Sequence, residues 1–456
     1  MSLAPLSALD AAFLSLESDH APMHVGWAAL FDPPARGEAP SFDDIRRHIA
    51  GRLGRAPRYR QKLAAIPLGL GDPVWVDDPS FDVAEHVLRA RRRDFGALVD
   101  EVLSAPLRHD RPLWELWIAD RLPGGQIGVV GKAHHCLVDG LAAVELMALL
   151  LDATPEPGGG GSDDEGWLPR AVPSAMALAR DALGHRIDEA LGLARLPMSL
   201  AREPAGLLEL PGQAWRAARA VAHTAAPLAP RSRLNGDMTA LRHLACHSRP
   251  LEDLKVIKRR FGTTINDILL SASAGALRGL AEERDEAPRP VKAMVPVSVQ
   301  APDERWGNRI AFLFLGLPCD EADPVWRLRD IHVAMRDRKR EGEPEGADAL
   351  LNFVAHAPRA VRRFASKVIS SPQLSNLTIS NIPGPQMPVY LMGCEVRHAY
   401  PVVPLTHGHG ISIGMTTVNA RACFGVYAQA ELADDADAIA RGIEASIGEL
   451  LERAAA

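Results

Sequence analysis

Residues 131–140 read GKAHHCLVDG: His134 and His135 are adjacent, and Asp139 follows the second by four places, directly after the apolar run IGVV. Histidine exchanges a proton near neutral pH. A neutral imidazole, fixed in one tautomer and facing a cavity, could take the proton of an alcohol or thiol. Asp139, across a strand-to-helix turn, could orient the loop or pair with an arginine, and Gly140 permits tight backbone geometry there. Neighbouring strand residues point to opposite faces, so His134 and His135 are expected to do different jobs, one facing a cavity and the other packing. By residue type alone, plain packing competes with catalysis for both.

Other chemistries fit less well. HHxxxD lacks the HExxH spacing of helix-borne zinc ligands. Five cysteines, Cys136, Cys246, Cys319, Cys394 and Cys423, are scattered without CxxC spacing, which speaks against a thiolate metal site or a disulfide framework. No metal is expected. No GxSxG elbow occurs, and GGGG at 158–161 lacks the Lys-Thr of a phosphate loop. Cys136, read as a strand residue beside His135, is expected to point away and pack.

The elements around the motif follow from periodicity and punctuation. Strands are expected at 24–31 and 126–135, and helices at 41–54, capped by Ser41 or Asp43, and at 94–107. GLAAVELMALLLD after the motif has a helical pattern. Gly, Pro and acidic residues at 153–168 mark a linker, and 170–230 reads as crossover helices, with LGLARL at 191–196 as a covering piece. Beyond it, a helix at 251–262 stops at Gly262. Another spans 263–283, capped by Thr263, Thr264 or Asn266. Strands are expected at 291–300, 309–319, 376–385, 409–418 and 422–430 before a closing helix. The organisation is α/β: an N-terminal half at 1–152, a linker and crossover at 153–237, and a C-terminal half at 238–456, with a cleft between halves.

The 456 residues are 47 % hydrophobic and 24 % charged with net charge -6, so no nucleic-acid partner is expected. The basic tracts 89–93 and 337–340 read as solvated helix faces. The N-terminal stretch lacks a basic start and carries Asp10. The richest apolar run, LAAVELMALLL, is interrupted by Glu145. A soluble or peripheral cytoplasmic protein is expected.

Read together, the blocks LSALDAAFLSLES (6–18), PMHVG (22–26), FDVAEHV (81–87), RPLWELWIAD (111–120), HHCLVDG, LNG (234–236), GTTINDILL (262–270), WGNRIAFLFLGLP (306–318) and SNIPGP (380–385) carry a resemblance over nearly the whole chain. The chain resembles the bacterial wax ester synthase/diacylglycerol acyltransferase family, within the HHxxxDG group of CoA-dependent acyltransferases. The resemblance implies two chloramphenicol-acetyltransferase-like sandwich halves with the active site in a channel between them. It implies acyl transfer from acyl-CoA, the donor substrate, to a long-chain alcohol or diacylglycerol, with no bound cofactor and no acyl-enzyme.

In that reading His135 is the general base, His134 supports it, and Asp139 and Gly140 hold the turn. Asn266 and Asp267 begin a helix facing His135, where Asn266 either polarises the thioester or caps its helix. Pro112 and Trp114 start a buried strand, Asn308 lines a turn at the channel, and Asn381 belongs to a rigid loop between halves. Lipid acceptors imply peripheral contact with the inner membrane face or lipid inclusions. The chain departs from the family pattern at 88–100, at TTVNA (416–420) and at Gln429. These leave room for a same-fold enzyme with a specialised-metabolite acceptor, or a non-catalytic lipid-binding relative.

Overall fold

The computed structural model describes residues 4–137, 150–156, 167–184, 227–299, 309–348, 359–385 and 387–456. Asp139, Gly140, Asn308, the GGGG tract, LGLARL and nearly all of the helix expected after the HH motif lie outside the described residues.

Two six-stranded sheets dominate. The first runs in the order β12 (Tyr390–Leu391), β13 (Cys394–Val402), β2 (His24–Phe31), β7 (Ile127–His134), β6 (Trp114–Ala119), β5 (Val87–Arg89). The second runs β10 (Arg309–Leu317), β9 (Val291–Val299), β11 (Leu377–Ile382), β14 (Ile411–Val418), β15 (Arg421–Gln429), β8 (Arg242–Pro250). A small third sheet joins β1 (Ala4–Pro5), β4 (Val74–Asp77) and β3 (Gln61–Ala64). The strands expected from alternation are all present.

The helices begin and end where local chemistry dictates. Helix α1 is Ala8–Leu16. Ser41 caps α2 (Phe42–Ala50), and Asp44 completes the reciprocal capping box. Helix α3 is Phe95–Ser104. Gly262, at φ 68°, ends α4 (Leu251–Phe261). Thr264 caps α5 (Ile265–Glu282), with Asp267 as its box partner. Helices α6 (Pro324–Arg340), α7 (Arg359–Ile369) and α8 (Ala433–Ala455) follow. The basic tract at 89–93 is not a helix face: Arg89 ends β5 and pairs with Asp120, and the rest precedes α3. The tract at 337–340 does close α6.

Period-two alternation gives the first sheet two apolar faces. Ala29, Phe31, Ile127, Val129 and Ala133 pack in one cluster with Phe42, Ile45 and Ile49 of α2. Ala28 and Val130 pack in another with Leu98, Val99 and Val102 of α3, and this cluster reaches Leu244, Val402 and Tyr427. It therefore also joins the two sheets.

The sheets do not follow the chain division at 238. After β11 the SNIPGP loop leaves the second sheet, β12 and β13 complete the first, and the chain returns as β14. β13 pairs antiparallel with β2, from Val396↔Phe31 to Val402↔Gly26. Its crossing over the second sheet requires missing side chains. Gly414 and Gly425 are directly opposed in β14 and β15. A Cβ on Gly425 would lie 2.3 Å from the Pro401 carbonyl oxygen, and one on Gly414 would lie 3.0 Å from the Pro401 ring. In the SNIPGP loop a Cβ on Gly384 would come within 2.0 Å of the Thr417 carbonyl oxygen.

Lys132, inside the HH motif segment, makes a second tie. Its buried ammonium donates to the carbonyls of Val102 (2.9 Å) and Ala105 (2.7 Å) at the end of α3, and lies 3.2 Å from a Glu115 carboxylate oxygen. A cation suits the negative end of a helix. From α3, Asp100 accepts the Leu244 amide (3.0 Å) and Ser104 accepts the Arg242 amide (2.9 Å), both at the start of β8. One lysine thus links the motif strand, through α3, to the second sheet.

Two expectations follow. Gly425→Ala should destabilise the protein by at least about 1–3 kcal/mol, since the clash is with backbone. Gly279→Ala, in α5 with no atom within 4 Å of the new Cβ, should be neutral or stabilise by up to about 1 kcal/mol. Urea midpoints compare them. Lys132→Met strands Glu115 and two carbonyls, and should cost about 3–5 kcal/mol; Lys132→Met with Glu115→Leu should recover part of that loss.

Candidate active site

His134 and His135 hang from two neighbouring carbonyls. The His134 amide donates to Leu113 O (3.0 Å), and the His135 amide to Met23 O (2.9 Å). Leu113 is the centre of the PLW block, so that block positions the motif through its backbone. Met23 is buried and adopts φ 49°, an unfavourable left-handed conformation for a side chain of this kind. It presents its carbonyl to His135 just before β2.

β7 ends at His134, and residues 135–137 form a turn, so strand alternation does not itself set the direction of His135. The two rings do have different surroundings: His134 is fully buried, while His135 is half-buried. Phe13 of α1 stacks on His135 with ring centroids 3.6 Å apart and an interplanar angle of 21°. Glu17, the residue that follows α1, places a carboxylate oxygen 3.7 Å from His134 Nε2. Cys136 also lies in the turn, not in a strand. It is still buried in the core, and burial pushes its thiol far above the ordinary range, so it packs and is not a nucleophile.

The site is dehydrated. His134 is fully buried, and loss of water pushes its pKa down to about 4, against the opposing pull of Glu17. Its Nδ1 accepts the Cys136 amide (3.1 Å), so the proton of the neutral ring sits on Nε2, toward Glu17. His135 is also pushed down to about 4 by desolvation, and its Nδ1 is enclosed without a hydrogen-bond partner. His24, paired opposite His134, is buried and well below the usual imidazole range for the same reason. His109 goes the other way: its hydrogen bond to Glu17 (2.9 Å) raises it. At neutral pH the two motif histidines are neutral bases surrounded by little water.

The remaining residues of the sequence reading separate into braces and distant groups. Trp114 is a brace: its indole N–H donates to Tyr59 O (2.8 Å), and its ring stacks on His86 at 4.7 Å. Pro112 is buried beside it and accepts the Trp114 amide (2.9 Å). Asp267 is occupied by the Thr264 amide (2.9 Å) and by His332 (2.8 Å). Asn266 is half-buried in the first turn of α5. Thr264, not Asn266, caps that helix. The main neighbours of α5 are α4, α6, α8, β10 and β11, all in the second sheet's layer. Asn381 lies in β11 opposite Met415. Gln429 ends β15 and accepts the Thr239 amide (3.3 Å).

Sequence reasoning missed Phe13, Glu17, Met23, His24, His109 and Lys132. Four of them sit in the LSALDAAFLSLES and PMHVG blocks, and Lys132 precedes the histidines by two places. Nothing in the spacing of those four connects them to the motif, because their contacts span more than a hundred residues of chain. On the far side of α1, Ala11, Ala12, Leu14 and Ser15 border a cavity of about 140 Å³, closed by Asp72, Arg359 and Arg362. Helix α1 stands between this cavity and His135. Among the described residues no cluster of His, Cys, Asp or Glu could hold a metal ion.

The chain is similar to known proteins over nearly its whole length. The wax ester synthase/diacylglycerol acyltransferase catalytic domain matches residues 6–269, and the C-terminal domain of the same family matches 306–451. A probable diacylglycerol O-acyltransferase of Mycobacterium tuberculosis H37Rv is 30 % identical, covering 98 % of this chain and 95 % of that one. A wax ester synthase/diacylglycerol acyltransferase from Marinobacter aquaeolei VT8 shares the fold, with a TM-score of 0.71 at 24 % identity over 100 % of both chains. The starter condensation domain of rhizomide synthetase, solved with C8-CoA, has a TM-score of 0.57 at 14 % identity, covering 98 % of this chain and 94 % of that one. On the family match and the mycobacterial relative, the chain belongs to the wax ester synthase/diacylglycerol acyltransferase family.

Proposed function

We propose that the protein is an O-acyltransferase that moves a fatty acyl group from acyl-CoA to the hydroxyl of a lipid, with His135 as general base. The observation that carries this is the setting of His135: its backbone amide is held by the Met23 carbonyl, its half-buried ring is stacked on Phe13, and desolvation keeps that ring neutral. Its ring takes the acceptor's hydroxyl proton as the oxygen attacks the thioester carbonyl. The tetrahedral intermediate collapses, the C–S bond breaks, and the CoA sulfur leaves. No side chain is acylated. Holding donor and acceptor together supplies much of the rate.

In this reading the site lies in a channel between two acyltransferase-like halves. His134 keeps the turn in place through the Cys136 amide. The roles of Asp139, Gly140 and Asn308, which lie outside the described residues, rest on the family resemblance alone. Asn266, relieved of capping by Thr264, is the donor to the developing oxyanion. Asn381 begins the loop along which the chain passes between the sheets. The mycobacterial relatives' names favour diacylglycerol over a fatty alcohol as acceptor. Neither altered segment, 88–100 or 416–420, is among the groups found around His135, so a specialised-metabolite acceptor gains no support from them. Lipid acceptors place the protein in the cytoplasm, peripheral to the inner membrane face or to lipid inclusions.

Thiol release from acyl-CoA, with diacylglycerol, a fatty alcohol and a short-chain alcohol as acceptors, tests the proposal. His135→Ala should lower kcat by about 10²–10⁴-fold; an unchanged rate would sink the role of His135.

The pH dependence has a definite sign. His134 and His135 are depressed to about 4 in the folded protein from about 6.5 unfolded. The unfolded chain binds more protons between those values, so their stabilisation is complete above about pH 6.5 and is lost as pH falls toward 4. The urea midpoint should fall over that window, and by less in His134→Gln. The acid limb of kcat/KM should lie well below pH 6.

A further inference from the structure

Helix α7 reads RAVRRFASKVI, and its apolar side faces water. Phe364 is 70 % exposed, and Val361 and Val368 are exposed as well. At 3.6 residues per turn these three share one stripe. Lys367, exposed, follows on its flank, and Arg363, also exposed, lies further round at the rim of the cavity against α1. They make no ion pair among the described residues, and the stripe lies away from Arg359 and Arg362.

The turn beside this helix repeats the pattern. Leu68 is 95 % exposed, and its φ of 58° is left-handed. An apolar side chain at an exposed tip, in a backbone conformation that disfavours any Cβ, gains nothing from water. The turn is fastened to α7: Arg359 Nη1 donates to the carbonyls of Gly69 (3.3 Å) and Gly71 (3.2 Å). Asp72 bridges Arg359 (3.0 Å) and Arg362 (2.5 Å). Gly71 also borders Ala182, next to the exposed Leu183. The exposed Leu68 turn is thus fixed to the N-terminal end of the helix that carries the exposed Val361, Phe364 and Val368.

We infer that α7 and the Leu68 turn form the face on which the protein docks to an anionic phospholipid surface. The chain's net charge is -6, yet α7 carries three arginines and a lysine and no acidic residue, Lys367 lying beside the apolar stripe and Asp72 pairing with Arg359 and Arg362 on the other side. That is the charge a negatively charged leaflet attracts, and an apolar stripe with a basic flank is the form of an interfacial helix. Among the described residues no helix is long and apolar enough to cross a membrane. The opposite side of α7 packs on α1, with the 140 Å³ cavity between them, and α1 carries the Phe13 that stacks on His135. The docking face and the base thus lie on two sides of one helix pair. The inference deepens the lipid-acceptor reading above and rests on it for its purpose.

The full-length protein, without substrate, is sedimented with vesicles of phosphatidylcholine alone and of phosphatidylcholine mixed with phosphatidylglycerol. The wild type should bind the mixed vesicles in clear preference to the neutral ones. Phe364→Asp should weaken binding about tenfold or more. Arg363→Glu with Lys367→Glu should abolish the preference for anionic vesicles. Both variants should keep the wild-type urea midpoint and turnover of a short-chain, water-soluble alcohol. Wild-type protein that ignores both vesicles overturns the inference, as do variants that bind like wild type. A dimer that Phe364→Asp dissolves assigns the face to a second copy and also overturns it. Vesicle binding without any acyl transfer would leave this inference standing and defeat the functional reading; transfer to soluble alcohol without vesicle binding would do the reverse.

Discussion

The arrangement depends on one close backbone approach. β13 can lie across β14 and β15 only because Gly414 and Gly425, paired opposite one another, leave room for Pro401. From there the geometry passes along hydrogen bonds. Pro401 is the register partner of Trp27 in β2, and β2 is preceded by Met23, whose carbonyl holds the His135 amide. β2 also places His24 opposite His134 in β7. A strand from the far end of the chain therefore helps fix the position of a turn near residue 135. Steric exclusion at two missing side chains allows this, and Ser412 Oγ of β14, donating to the Val403 carbonyl (2.7 Å) just after β13, fastens the approach.

A second link runs through charge. Lys132 is buried next to the motif, where a free ammonium would be costly. Two helix-end carbonyls and the Glu115 carboxylate make it tolerable and bind β7 to α3. α3 in turn holds β8 through Asp100 and Ser104. The two ties sit on different strands of the first sheet, so the sheets resist both sliding and rotation. Dehydration of the histidines follows from this closure: His134 and His24 are sealed by the same sheet and by α1.

Much of this was legible locally. The strands at 24–31 and 127–134 followed from alternation, and the ends of α2, α4 and α5 from Ser41, Gly262 and Thr264. The HHxxxDG motif marked the site. What the sequence concealed were contacts between distant segments. Nothing near 394–402 says that this strand joins the first sheet, because register partners are set by packing and not by local preference. Alternation reached its limit at one point: the strand stops at His134, so the direction of His135 is set by the turn and by Phe13 of α1. Trp114 reads as the start of a buried strand, and its hydrogen bond to Tyr59 and its stacking on His86 agree with that. The altered segment at 416–420 is the end of β14 and its turn into β15, where Asn419 donates to Glu395 (2.8 Å).

The dehydration around His135 has a consequence for the proton's onward journey. An imidazole whose conjugate acid sits near pH 4 is a reluctant acceptor but a generous donor. In the proposed role, once it has taken a hydroxyl proton the resulting imidazolium would be a stronger acid than a thiol, whose unperturbed pKa is about 8.5, by some four powers of ten. The departing CoA sulfur would then be a favoured recipient. The same desolvation that disfavours the first proton movement would favour the second, so the ring would return to its starting form by passing the proton from one substrate to the other.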